Sequence, residues 1–128
     1  MTEAVQKLLA METWAVVGLS NDRSRAAYDV AKFLQDKGKR IVPVHPHAEA
    51  VHGETGYATL SEIPFPVDVV DCFVRSSLVG PVVDEAIAIG ARGVWMQLDV
   101  VDEAAAERAR AAGLTVVMDR CPKIDWRD

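Results

Sequence analysis

Hydrophobic positions along the chain follow two different rhythms. Residues 14–17, 67–73, 93–96 and 115–118 are short, continuous apolar runs rich in β-branched side chains, the pattern of strands buried on both faces, and residues 40–44 form a fifth. Between these runs the apolar positions recur at helical spacing. Ala27, Val30, Ala31 and Leu34 mark one stripe, and Val79, Val82, Val83, Ala86 and Ile87 mark another. The alanine-rich stretch 102–112 gives a third helix, and residues 2–11 an opening one with Thr2 as its N-cap. Gly38, Gly90 and Gly113 each follow a helical pattern and precede a strand by one or two residues, as left-handed C-terminal caps do.

Strands that alternate with helices, and that are apolar on both faces, predict right-handed βαβ crossovers and one parallel sheet between two helical layers. The fold class expected is therefore α/β: a Rossmann-like three-layer domain with a five-stranded parallel sheet in the order 3-2-1-4-5, plus an N-terminal helix. The 128 residues fit one domain spanning 1–128 and leave no room for a second.

Composition narrows the class further. No apolar stretch approaches the ~20 residues that cross a bilayer, and the charged opening helix does not read as a signal peptide, so neither a membrane nor export is expected. Cys72 and Cys121 have no CxxC or Cys/His spacing around them, which speaks against a zinc site or a disulfide scaffold and for a cytoplasmic protein. A net charge of −5 speaks against nucleic acid. That charge is uneven: residues 20–47 carry six Lys or Arg against three acids, with His45 and His47 besides. The segment is either a solvated helix face or the surroundings of a small anionic ligand.

In a doubly wound sheet the ligand lies at the carboxyl ends of the strands, so the residues after each strand carry the functional reading. After the first strand, Gly18 permits a tight turn, Ser20, Asn21 and Asp22 lead toward a helix N-terminus suited to phosphate, and Arg23 and Arg25 add positive charge. The second and third glycines of GxGxxG are missing, and the second strand ends in His45-Pro46-His47 rather than an acid, so a nicotinamide dinucleotide is disfavoured. Each histidine alone also reads as an ordinary loop residue. Val74, Arg75 and Ser76 follow the third strand and Gln97 the fourth. Cys121, after the fifth, lies between Arg120 and Lys123, whose charges would favour its thiolate; the alternative is an inert thiol in a tail. Cys72, within an apolar run, reads as core.

The runs Trp14-Ala15-Val16-Val17-Gly18-Leu19-Ser20, Val42-Pro43-Val44-His45-Pro46-His47, Trp95-Met96-Gln97-Leu98 and Val117-Met118-Asp119-Arg120-Cys121-Pro122-Lys123 strongly resemble the small stand-alone CoA-binding domain proteins of bacteria. The resemblance covers nearly the whole chain, and these proteins are similar to the CoA-binding domain of the succinyl-CoA synthetase α subunit. It implies that residues 20–23 meet the CoA phosphates and that Val74, Arg75 and Ser76 meet the adenine and pantetheine region. Where the family commonly has Asn-Pro-Lys, this chain has His45-Pro46-His47, and Cys121-Pro122 matches a Cys-Pro near the end of the synthetase domain. The expectation is a non-catalytic module that binds coenzyme A or an acyl-CoA through Gly18, Ser20, Asn21, Asp22, Arg23, His45, His47, Val74, Arg75, Ser76, Gln97 and Cys121. The alternatives are a thiol-dependent acyl-CoA or redox enzyme using Cys121, and an NAD(P)-binding regulator.

Overall fold

The computed structural model describes residues 2–127. Five parallel strands, β1 (Thr13–Val17), β2 (Arg40–Val44), β3 (Val69–Cys72), β4 (Gly93–Met96) and β5 (Thr115–Val117), form one sheet. Helices α1 (Glu3–Leu9), α2 (Ala26–Asp36), α3 (Ser76–Ala88), α4 (Glu103–Ala111) and the short α5 (Pro122–Asp125) cover it. Thr2 caps α1 by accepting the Val5 N–H at 3.2 Å, and Gly38, Gly90 and Gly113 all have positive φ beyond the ends of α2, α3 and α4. The Rossmann-like fold with its N-terminal helix is as the sequence pattern implies.

Strand order differs from the expected 3-2-1-4-5. The sheet runs β2-β1-β3-β4-β5, so β3 sits beside β1 and β2 is an edge strand. Pro43 supplies the physical reason. It has no N–H to give to an outer neighbour, and its carbonyl faces outward to accept only the Tyr57 N–H at 2.9 Å in an isolated bridge. β3, buried at every position, takes the interior place that β2 cannot fill.

Each face of the sheet buries a separate core. Val70 and Cys72 of β3 point into one, with Val79, Val83 and Ala86 of α3 and Ala105, Ala106 and Ala109 of α4. Val69 points into the other, with Val5 and Leu8 of α1 and Val30, Ala31 and Leu34 of α2. Trp14 and Trp95 meet there with ring centroids 5.7 Å apart. Their indole N–H groups donate to the Met11 and Arg120 carbonyls, so neither buried ring leaves a polar atom unpaired. α5 is fastened to this layer by an ion pair of Lys123 with Asp29 of α2 at 2.6 Å. With β1 and β3 adjacent, and their following helices on opposite faces, the chain reverses direction across the sheet between these two strands.

Candidate functional site

A cleft of about 740 Å³ opens at this switch point, in the size range of small-molecule sites. Gly18 makes it possible. Its φ is +99°, and a Cβ there would collide with the Phe73 carbonyl oxygen, so only glycine lets the β1 loop lie against the end of β3. Arg25 and Arg75 occupy the N-cap positions of α2 and α3, and neither helix has a capping side chain. The first-turn N–H groups of both helices therefore lack a side-chain acceptor, and the positive ends of two helix dipoles converge on one cleft. Arg25 and Arg75 are exposed and take part in none of the ion pairs found among the described residues. Such an arrangement attracts phosphate groups.

The rest of the lining is different in kind. Phe73, Val74, Leu78, Val82, Leu98 and Val100 give it an apolar surface, on which Leu78 and Leu98 remain 57% and 50% exposed. Glu85 and Asp99 are the acids of the lining, and Glu85 accepts the Ser61 N–H at 3.2 Å. The lining combines two exposed arginines and two helix starts without capping side chains with an apolar surface, so it suits a ligand that has both anionic groups and a less polar part.

Of the residues expected from sequence, Gly18, His45, Val74, Arg75 and Gln97 line this cleft. The others sit beside it or away from it. Asn21 gives its backbone N–H to the Glu49 carboxylate and its side-chain amide to the Ala50 carbonyl. Asp22 accepts from both the N–H and the hydroxyl of Ser24, which holds its carboxyl below the usual range, and Ser20 accepts the Asp22 N–H. The loop 20–24 is thus knitted to itself and to the segment after β2. Arg23 lies over the Tyr28 ring at 5.8 Å. His47 is exposed and stacks on His45, whose Nδ1 accepts the His47 N–H at 3.2 Å. Ser76 ties the start of α3 to the β4–α4 loop, donating to the Asp99 carbonyl and accepting the Val101 N–H.

Cys121 is buried among the residues packed by α2 and β5 and lies outside the cleft lining. The flanking charges that would favour a thiolate are committed elsewhere: Arg120 to Asp125 at 2.6 and 3.0 Å, Lys123 to Asp29. Cys72 is fully buried in the core, and burial together with the charge of Asp71 pushes its thiol up.

The sequence reading passed over two features. Arg25, named only as extra charge, is the residue that reaches the cleft, because α2 begins at Ala26 and places it at the mouth. Asp71, an acid inside an apolar run, is fully buried and bonded to Gln97. The one acidic letter in residues 67–73 other than Asp68 at the strand's start was the available signal.

A parallel 2-1-3-4-5 sheet with a cleft at its β1/β3 switch point places the chain among the doubly wound α/β domains. More specifically, the chain belongs to the CoA binding domain family, whose model matches residues 12–127. It is 37% identical over 110 residues to the uncharacterized protein YneT of Bacillus subtilis, covering 86% of this chain and 82% of that one. It is 35% identical over 81 residues to the α subunit of the ADP-forming acetate–CoA ligase II of Pyrococcus furiosus, covering 62% of this chain and 18% of the subunit. The stretch matched is a small part of that ligase subunit. Among solved structures, a hypothetical protein from Pyrococcus horikoshii OT3 superposes with a TM-score of 0.89 at 35% identity, covering 95% of this chain and 87% of that one. No helix among the described residues is long and apolar enough to cross a membrane.

Proposed function

We propose that the protein binds coenzyme A or an acyl-CoA in the switch-point cleft and acts as a binding module with no chemistry of its own. The observation that carries the reading is the convergence of two helix starts without capping side chains, each with an arginine at its N-cap, on one cleft in a chain of the CoA binding domain family. The residues fit the ligand. Arg25, Arg75 and the first-turn amides of α2 and α3 would hold phosphates, and the wall of Phe73, Val74, Leu78 and Leu98 would cover the arm. His45 at the end of β2 offers no carboxylate to ribose hydroxyls, which weighs against NAD(P).

The Cys121 alternative is weakened by where that thiol lies: it is buried against α2 and β5 and is not one of the residues lining the cleft. Catalysis through Cys121 would need a thiol that reaches the ligand beside a free base. A thermal-shift panel of CoA, acetyl-CoA, NADH, NADPH and ATP tests the reading. A ligand at 100 times its Kd adds about 2.7 kcal/mol to the native state, so CoA or acetyl-CoA should raise the midpoint by several degrees and NADH by much less. A shift with NADH equal to that with CoA overturns it, as would steady release of free CoA from acetyl-CoA.

A further inference from the structure

Beneath the cleft, the centre of the sheet contains a carboxyl that phosphate binding does not use. Asp71 lies in β3 with Val16 of β1 and Trp95 of β4 beside it in register, and it is fully buried. Its Oδ1 accepts a hydrogen bond from Gln97 Nε2 at 2.5 Å, while its Oδ2 is sealed and has no partner. A buried polar atom left unpaired destabilises the fold, and a valine would fill this position without that cost. The carboxyl therefore calls for a role outside packing.

Gln97 supplies the connection. It stands at the end of β4, is only 5% exposed, and lines the cleft. A carboxamide with no fixed neighbour can present either its amino group or its carbonyl to a ligand. Here the amino group is taken by Asp71. The carbonyl oxygen accepts no hydrogen bond from the described residues, and unlike Asp71 Oδ2 it is not a sealed, unpartnered atom.

We infer that Asp71 is a positioning residue: by taking the amino group of Gln97 it turns the Gln97 carbonyl oxygen toward the cleft, where that oxygen accepts an amide N–H from the bound ligand. The inference rests on the proposed occupancy of the cleft by a CoA-type ligand and deepens it, placing the amide-bearing pantetheine arm at the end of β4. Burial holds the Asp71 carboxyl up to about 8, so near neutral pH it is an uncharged acid with one oxygen free to accept. The neutral form explains how the group sits in the core without a counter-ion.

The test is isothermal titration of the wild type, Gln97→Ala, Asp71→Leu and Asp71→Asn with two probes, CoA and adenosine 3′-phosphate 5′-diphosphate. The second probe carries the nucleotide phosphates and no amide arm. Gln97→Ala and Asp71→Leu should each weaken CoA about fivefold to tenfold, the worth of one neutral hydrogen bond, and leave the nucleotide within about twofold. Asp71→Asn should restore CoA affinity, because the Asn carbonyl can accept from Gln97 Nε2 as the carboxyl does. Equal losses on both probes, unchanged CoA affinity in Gln97→Ala, or an Asp71→Asn protein as weak as Asp71→Leu would overturn the inference. If Asp71→Leu does not fold, the Gln97→Ala and Asp71→Asn arms decide it by themselves. A wild type that binds neither probe would instead refute the binding reading, and the inference with it.

Discussion

Replacing Asp71 by asparagine should change the pH dependence of stability more than any surface substitution. In the folded protein burial holds the carboxyl up to about 8, against an ordinary value of 3.8 when the chain unfolds. Between those values the unfolded state releases a proton that the native state keeps. Stability from this group is therefore complete below about pH 3.8 and is lost progressively as pH rises toward about 8. Each pH unit in that window costs 1.36 kcal/mol, so by pH 7 the accumulated loss is of the order of 4 kcal/mol. Asparagine has nearly the same shape and does not titrate, so this loss disappears. Against the gain stands one new amide N–H group where Oδ2 lies without a partner, at about 1–3 kcal/mol. Asp71→Asn should thus be less stable than the wild type near pH 4 and more stable, by about 1–3 kcal/mol, at pH 7. Urea unfolding followed by tryptophan fluorescence is a direct assay, since Trp95 is the register neighbour of Asp71 on β4. Taking the difference between the two proteins from pH 4 to 8.5 cancels the titration of every other group. A difference that stays flat across that range would refute the claim that a buried neutral acid occupies this position.

Other expectations follow from the cleft and its loops. Arg25→Ala and Arg75→Ala should each weaken CoA by about 1–3 kcal/mol in titration calorimetry, with the loss shrinking at high salt, while Arg23→Ala, whose guanidinium lies over Tyr28, should change affinity little. Gly18→Ala forces a side chain into φ +99° and into the Phe73 carbonyl, so it should cost at least about 1–2 kcal/mol in denaturant unfolding and weaken CoA as the β1 loop moves away from β3. Asp99 holds φ +67°, and both of its recorded bonds, from its N–H to Asp119 and from Ser76 to its carbonyl, are made by backbone atoms. Asp99→Gly should therefore keep those bonds and stabilise the fold by up to about 1 kcal/mol of relieved strain, read as a higher thermal midpoint. It also removes a carboxylate from the cleft lining, so CoA affinity should rise rather than fall.

The elements of this protein were legible in the sequence because they depend on local periodicity. Apolar runs rich in valine bury both faces of a strand wherever it is placed, and the helical stripes, the Thr2 cap and the glycines after α2, α3 and α4 act within a few residues of themselves. Which strand lies beside which depends on pairing between distant segments. Even so, Pro43 marked β2 as an edge strand, a local signal that the expected order 3-2-1-4-5 did not use. At the carboxyl edge of the sheet, where the sequence pointed, Gly18, His45, Val74, Arg75 and Gln97 line one cleft from four separate stretches of chain.

What the tertiary structure alone decided was which neighbour each side chain has. Arg23 and Arg25 are equivalent as letters, but the start of α2 sends one over Tyr28 and the other to the cleft. The six cations of residues 20–47 read as one anion-attracting cluster, yet Lys32 pairs with Asp36 and Arg40 lies over Phe65, so of the six only Arg25 lines the cleft. Cys121 has basic neighbours in sequence and other partners in space, because α5 folds back onto α2 through a contact between residues 94 positions apart. Asp71 and Gln97 are 26 residues apart and meet only because β3 and β4 pair in register. Periodicity selects strands and helices through the face each residue must bury. The charge, protonation and partner of a residue depend on what the rest of the chain brings to that face, and only the folded structure supplies that.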